Sequence, residues 1–97
     1  MARLKVFNPV ARPLEKHVTP APRPADLDGK RIGLYWNMKG GGNIALHHTE
    51  RVLKTRYPNA QFVYCQGSVG ANMRHVTPAE TDRFSTQVDV MVGTTAD

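Results

Sequence analysis

Residues 31–49 read RIGLYWNMKGGGNIALHHT. The first six, RIGLYW, carry one charge and are apolar on both sides of an extended chain, as a strand inside a covered sheet requires. NMKGGGN cannot continue that strand, and its three consecutive glycines mark a loop. IALHHTERVLKTRY then turns to helical spacing, with Ala45, Leu46, Thr49, Val52, Leu53 and Tyr57 on one face. Asn43 is the expected N-cap, Glu50 and Lys54 form an i,i+4 pair, and Pro58 stops the helix. Strand, glycine loop and helix in this order open a parallel α/β unit.

The same alternation continues downstream. YPNA is a turn, AQFVYCQ a second strand, and GSVGANMRHVTP a long loop. PAETDRFSTQ is a short helix with Thr77 as its cap and Pro78 at its first position, and VDVMVG is a third strand. The fold class expected is α/β: a three-stranded parallel sheet of β-α-β-α-β order, half of a Rossmann-like or flavodoxin-like fold. Right-handed crossovers place the first strand between the other two or beside both.

Upstream of LDGK the chain differs. Residues 1–27 hold five of the seven prolines, which excludes helix and central strand and predicts an extended arm. RLKVFNPV alternates enough to add an edge strand to a sheet or to a partner. Residues 28–97 make the α/β domain. With no helix after the third strand, part of the sheet is expected to be uncovered. Either the domain is the N-terminal part of a longer fold, or a homo-oligomer forms through the arm or the exposed sheet edge.

The chain of 97 residues has a formal charge of +5, spread without a basic run, which argues against a nucleic-acid partner. Its single cysteine, Cys65, allows no internal disulfide. No apolar stretch has the length of a signal h-region or a membrane span, so the expectation is a cytoplasmic protein without membrane contact.

Ligands of open α/β sheets sit outside the carboxyl ends of the strands. That rule selects the loops 37–43, 66–77 and 93–97. In the first, Lys39, Gly40, Gly41, Gly42 and Asn43 are candidates for binding an anion, since glycines admit close backbone approach and a helix N-terminus attracts negative charge. The loop matches neither the dinucleotide fingerprint nor the P-loop, and a plain strand-to-helix turn fits as well. His47 and His48 point about 100° apart on a helix and His75 is remote, so no metal site is expected. Cys65 reads as a buried, inert thiol. Ser68 and Ser85 lie in no nucleophile elbow. The residues name no catalytic group, cofactor or metal.

LDGKRIGLYWNMKGGGN, the helix ending LKTRYPNA and the closing VDVMVGTTAD together resemble the N-terminal half of the UGSC family of selenoproteins and their cysteine homologues. In that family the third strand runs into a short loop followed at once by Sec-Gly-Ser-Cys or Cys-Gly-Ser-Cys. The resemblance implies a selenol or thiol redox site at the tip of the third strand. Thr94, Thr95 and Asp97 would border the nucleophile, and Asn37, Lys39 and the glycines Gly40, Gly41 and Gly42 would form the facing wall. It also implies that the redox residue lies after Asp97, at a UGA codon read as stop, so that the chain alone is an inactive part of an oxidoreductase-like protein. Two other readings stand beside it: a self-associating interaction protein, and a small anion- or nucleotide-binding module.

Overall fold

The computed structural model describes residues 2–67 and 76–95. In chain order the elements are β1 (Arg31–Trp36), α1 (Gly42–Arg56), β2 (Gln61–Gln66), α2 (Pro78–Gln87) and β3 (Val90–Thr94). The sheet runs β2-β1-β3 with both pairings parallel, so β1 is central, as the crossover rule allows. Leu34 lies opposite Tyr64 on one side and Val92 on the other; Trp36 lies opposite Gln66 and Thr94. The expected α/β class is what the chain forms.

The strand order decides where the helices go. The first crossover steps from β1 outward to β2, and the second returns across β1 to β3. Right-handedness in both then requires the helices on opposite faces. Side-chain parity agrees, because alternate strand residues face opposite sides. On the α1 side Ile32 and Leu34 pack with Leu46 in a cluster that is 0% exposed. On the α2 side the Tyr35 ring meets Phe84 edge-on at 5.9 Å. Gly33 faces α2 as well, where an added Cβ would lie 3.0 Å from Val88 Cγ1. Small size at that position lets Val88 and Met91 close over the sheet.

The boundaries of α2 follow its sequence. Thr77 caps the helix, its hydroxyl accepting from the Glu80 amide at 3.2 Å, while the Glu80 carboxylate accepts from the Thr77 amide at 2.9 Å. That reciprocal pair with Pro78 behind the cap is a capping box. The turns expected at 27–30 and 57–60 form too, closed by Lys30 N–H to Leu27 O at 3.2 Å and Ala60 N–H to Tyr57 O at 3.0 Å.

Three expectations need correction. The N-cap of α1 is Gly41, at φ 89°, and not Asn43, which lies exposed inside the first turn. A left-handed entry residue costs glycine nothing, so the helix begins where the glycine run permits it. Second, Val52 does not belong to the packed face; it is 62% exposed, and Ala45 is exposed as well. The inward line runs Gly42, Leu46, Glu50, Leu53, and Val52 sits about 100° from Leu53. The Glu50 side chain is only 17% exposed and pairs with Lys54 at 2.8 Å, the i,i+4 contact expected. Third, β3 begins at Val90, because Val88 is still the C-cap of α2, donating its amide to Phe84 O.

Arg31 and Asp89 close the amino end of the sheet. Asp89 accepts from the Arg31 amide at 2.8 Å and from its guanidinium at 3.0 and 3.2 Å, and returns its own amide to Arg31 O at 2.8 Å. The guanidinium holds the Asp89 carboxyl down at about 2. The pair is exposed, so its stabilising effect is small; its role is to align the entries of β1 and β3.

Upstream of the sheet, residues 2–24 form neither helix nor strand and are exposed throughout. The radius of gyration is 18.8 Å, where a compact chain of this length measures about 12.5 Å. The arm accounts for the difference.

Candidate functional site

In the order β2-β1-β3 the strand order reverses at β1, so the crevice beyond the carboxyl ends of β1 and β3 is the topological switch point. Asn37 occupies it, 6% exposed. Its amide donates to Thr94 O at 3.0 Å, extending the β1–β3 ladder by one step. Its side chain then takes both backbone groups of the next residue: Nδ2 donates to Thr95 O at 2.5 Å, and Oδ1 accepts from Thr95 N–H at 3.2 Å. Oδ1 also accepts from Lys39 N–H at 3.1 Å, which folds the loop after β1 back over the site. A buried asparagine with donor and acceptor both used in this way locks two loops together. The Thr94–Thr95 peptide it clasps is cis.

The loop is tight. Met38 has φ 67°, a left-handed conformation that costs a side-chain-bearing residue about 1–2 kcal/mol and persists only where its surroundings fix it. Trp36 fixes it from below, its indole N–H donating to Lys39 O at 2.8 Å. Helix α1 closes the third side. Thr94 Oγ1 donates to Gly42 O at 2.9 Å, and a Cβ on Gly42 would lie 2.9 Å from Thr94 Oγ1 and Trp36 Cδ1. No side chain caps this helix, and no acid stands in its first turn. Its amino end therefore presents amide groups and positive dipole to the crest without a side-chain carboxylate to neutralise them.

The sequence candidates divide accordingly. Asn37, Thr94, Thr95 and Gly42 come together, with Lys39 joined to them through its backbone. Gly40 and Gly41 are exposed at the rim with open space where a Cβ would stand, and Asn43 is exposed on the helix. Asp97 lies outside the described residues, as do Ser68, His75 and most of the loop 66–77. Cys65 is 3% exposed, and burial pushes its thiol up, so it stays protonated at neutral pH.

Two neighbours carry no signal in the sequence. Trp36 reads as strand core, yet its ring forms the floor between the loop and α1. His47, given no partner by its spacing, sits against Tyr64 of β2, ring to ring at 5.4 Å, with the Tyr64 hydroxyl 2.9 Å from Nδ1. The Tyr64 hydroxyl also donates to Glu50; partial burial and that carboxylate push it up to about 12. The Lys54 ammonium, followed by Tyr64, holds the Glu50 carboxyl below its ordinary range. Only the β1–β2 register brings a residue at 64 over one at 47.

Gly42→Ala tests how closely α1 is seated. Alanine favours the helix by up to about 1 kcal/mol, but the added methyl overlaps two side chains of the crest, and overpacking of that kind costs about 1–3 kcal/mol. The expected outcome is a net loss of stability in urea titration and a shift in the emission of Trp36, the single tryptophan. Unchanged stability and emission would mean that the helix stands off from the crest.

Among the described residues no group of three His, Cys, Asp or Glu side chains is placed to hold a metal, and no helix is long and apolar enough to cross a membrane. Neither curated proteins nor solved structures give a match to the chain. A family profile does: the UGSC family matches residues 5–97, which includes most of the arm, all five elements and the crest. By that match the chain belongs to the UGSC family.

Proposed function

We propose that this chain is the N-terminal part of a selenol- or thiol-dependent oxidoreductase-like protein, its redox residue following Asp97. The observation that carries the reading is the clasp of Asn37 on Thr95, which fixes where the chain leaves β3 at the switch point. A nucleophile carried just beyond that exit lies near the uncapped amino end of α1. The dipole there stabilises a selenolate or thiolate and lowers its pKa. Family membership supports the chemistry, since the Sec-Gly-Ser-Cys or Cys-Gly-Ser-Cys motif of UGSC proteins follows a third strand of this kind. Within the described residues the one thiol, Cys65, is buried and protonated, so these residues position a redox group and do not supply one.

Reading the native gene past the codon for Asp97 tests this. UGA followed in frame by Gly-Ser-Cys codons is the expected result; UAA or UAG there overturns it. A second reading, binding of a small anion at the crest, is favoured by the absence of a side-chain cap on α1. It predicts that inorganic phosphate changes Trp36 emission in a saturable way, and that Gly41→Pro removes the response.

A further inference from the structure

We propose that His47, held in its Nδ1–H form by Tyr64 and Glu50, is the proton acceptor of a small-thiol site in the cavity between α1 and the carboxyl ends of β1 and β2. The cavity encloses about 310 Å³, and Trp36, Leu46, His47, Tyr64 and Gln66 are among its walls. Strand alternation puts them there. Ile32 and Leu34 pack toward α1, so Trp36 shares their face; Tyr64, in register with Leu34, and Gln66, in register with Trp36, lie on it too. Every wall belongs to the contiguous stretch 36–66, and β3 lies on the far side of β1, so the exit of β3 is no part of this cavity.

The hydrogens on these groups can be counted. A phenol has one, and Tyr64 gives it to the Glu50 carboxylate, which only accepts. The phenol is pushed up to about 12 by partial burial and that carboxylate, so it keeps its hydrogen at neutral pH. Toward His47 the Tyr64 oxygen is therefore an acceptor, and Nδ1, 2.9 Å away, is the donor. A neutral imidazole with its hydrogen on Nδ1 leaves Nε2 bare, an acceptor with no partner among the described residues. Lys54, 2.8 Å from Glu50, keeps the carboxylate ionised and so fixes the direction of the relay. Once Nε2 takes a proton, the imidazolium faces the Tyr64 oxygen with Glu50 behind it, while Arg51 and Lys54 line the adjoining hollow.

A bare nitrogen beside an indole and a leucine suits a ligand whose one acidic hydrogen sits on a soft, weakly hydrated atom, and a thiol is such a ligand. The choice of a thiol rests on the proposed function. Trp36 is a wall of the cavity and also the floor of the crest, through its indole N–H to Lys39 O, so that ring alone separates a thiol here from the crest. As the S–H bond breaks, an N–H bond forms at Nε2, leaving a thiolate beside an imidazolium. No electron moves in this step; it brings the bound thiol into its nucleophilic form.

The test uses the 97-residue chain, with the ring nitrogens of its histidines read by long-range proton–nitrogen NMR where imidazole is neutral. His47 should carry its hydrogen on Nδ1. Tyr64→Phe keeps a ring against His47 and removes the oxygen, so His47 should shift toward the Nε2–H form. Tyr64 is 52% exposed, so the fold should be intact in this variant, which the amide spectrum checks. Titration with mercaptoethanol should shift the His47 ring signals saturably, and ethylene glycol, its hydroxyl counterpart, should not. Tyr64→Phe should weaken the thiol response about fivefold, the loss of one hydrogen bond. Nε2–H in the parent, an equal response to the glycol, or a thiol response indifferent to Tyr64→Phe would each overturn the site. UAA or UAG after the Asp97 codon, with the thiol response intact, overturns the proposed function and not the site; UGA there without the response overturns the site and not the function.

Discussion

Asn37→Ala is expected to lower stability by about 2–3 kcal/mol, since each lost hydrogen bond contributes about 1 kcal/mol. Three side-chain hydrogen bonds disappear with the amide, and Thr95 loses the partner of both its N–H and its C=O. For a body of this size each kcal/mol moves the midpoint by about 4–8 °C, so thermal unfolding should begin at least about 8 °C lower. The β1–β3 register should survive, because the backbone bond from Asn37 to Thr94 and the ladder below it remain. What is lost is the fixed geometry of the exit from β3. In the proposed function that predicts a larger effect on redox activity of the full protein than on its fold.

Asn37→Asp separates the donor from the shape. The carboxylate keeps an acceptor for Thr95 N–H and Lys39 N–H but faces Thr95 O without a hydrogen. Asn37→Asp is therefore expected to lose stability at neutral pH through the Nδ2–Thr95 contact alone, since an acceptor set against an acceptor replaces a hydrogen bond. Urea titration checks it: stability equal to the parent would mean that the Nδ2–Thr95 contact is unimportant.

The fold was readable because its signals are local. RIGLYW, the glycine run and the Thr77-Pro78 start each announce an element within a few residues, and right-handed connection does the rest. The crest was readable as a region for the same reason, since the switch-point rule needs only element order. Its working parts were not. The clasp joins positions 58 apart, and it exists because Trp36 is in register with Thr94, a fact of strand pairing that no window of sequence contains. The Tyr64–His47 contact hides for the same reason. The entry to α1 depends on which of three glycines takes the left-handed conformation, and composition treats them alike.

The face of α1 shows the same limit and supplies the second large effect. Leu34→Ala should cost about 3–5 kcal/mol, because Leu34 is 0% exposed at the centre of the middle strand and cannot collapse toward a neighbouring layer without moving α1. Total stability for a domain of this size is about 5–10 kcal/mol, so this variant stands near the limit of folding. Leu46→Ala, across the same contact, should fall in a similar range. Val52 supplies the contrast. A pattern of apolar spacing groups it with Leu46 and Leu53, yet its side chain is 62% exposed while the Glu50 side chain turns inward to Lys54 and Tyr64. Val52→Ala should therefore change stability by no more than about 0.5 kcal/mol. Urea titrations of Leu46→Ala and Val52→Ala decide the rotation of the helix. Equal losses would mean that α1 is turned from the position that brings Gly42 against Thr94, and the crest with it. A loss at Leu46 alone fixes the helix where its amino end faces the exit of β3.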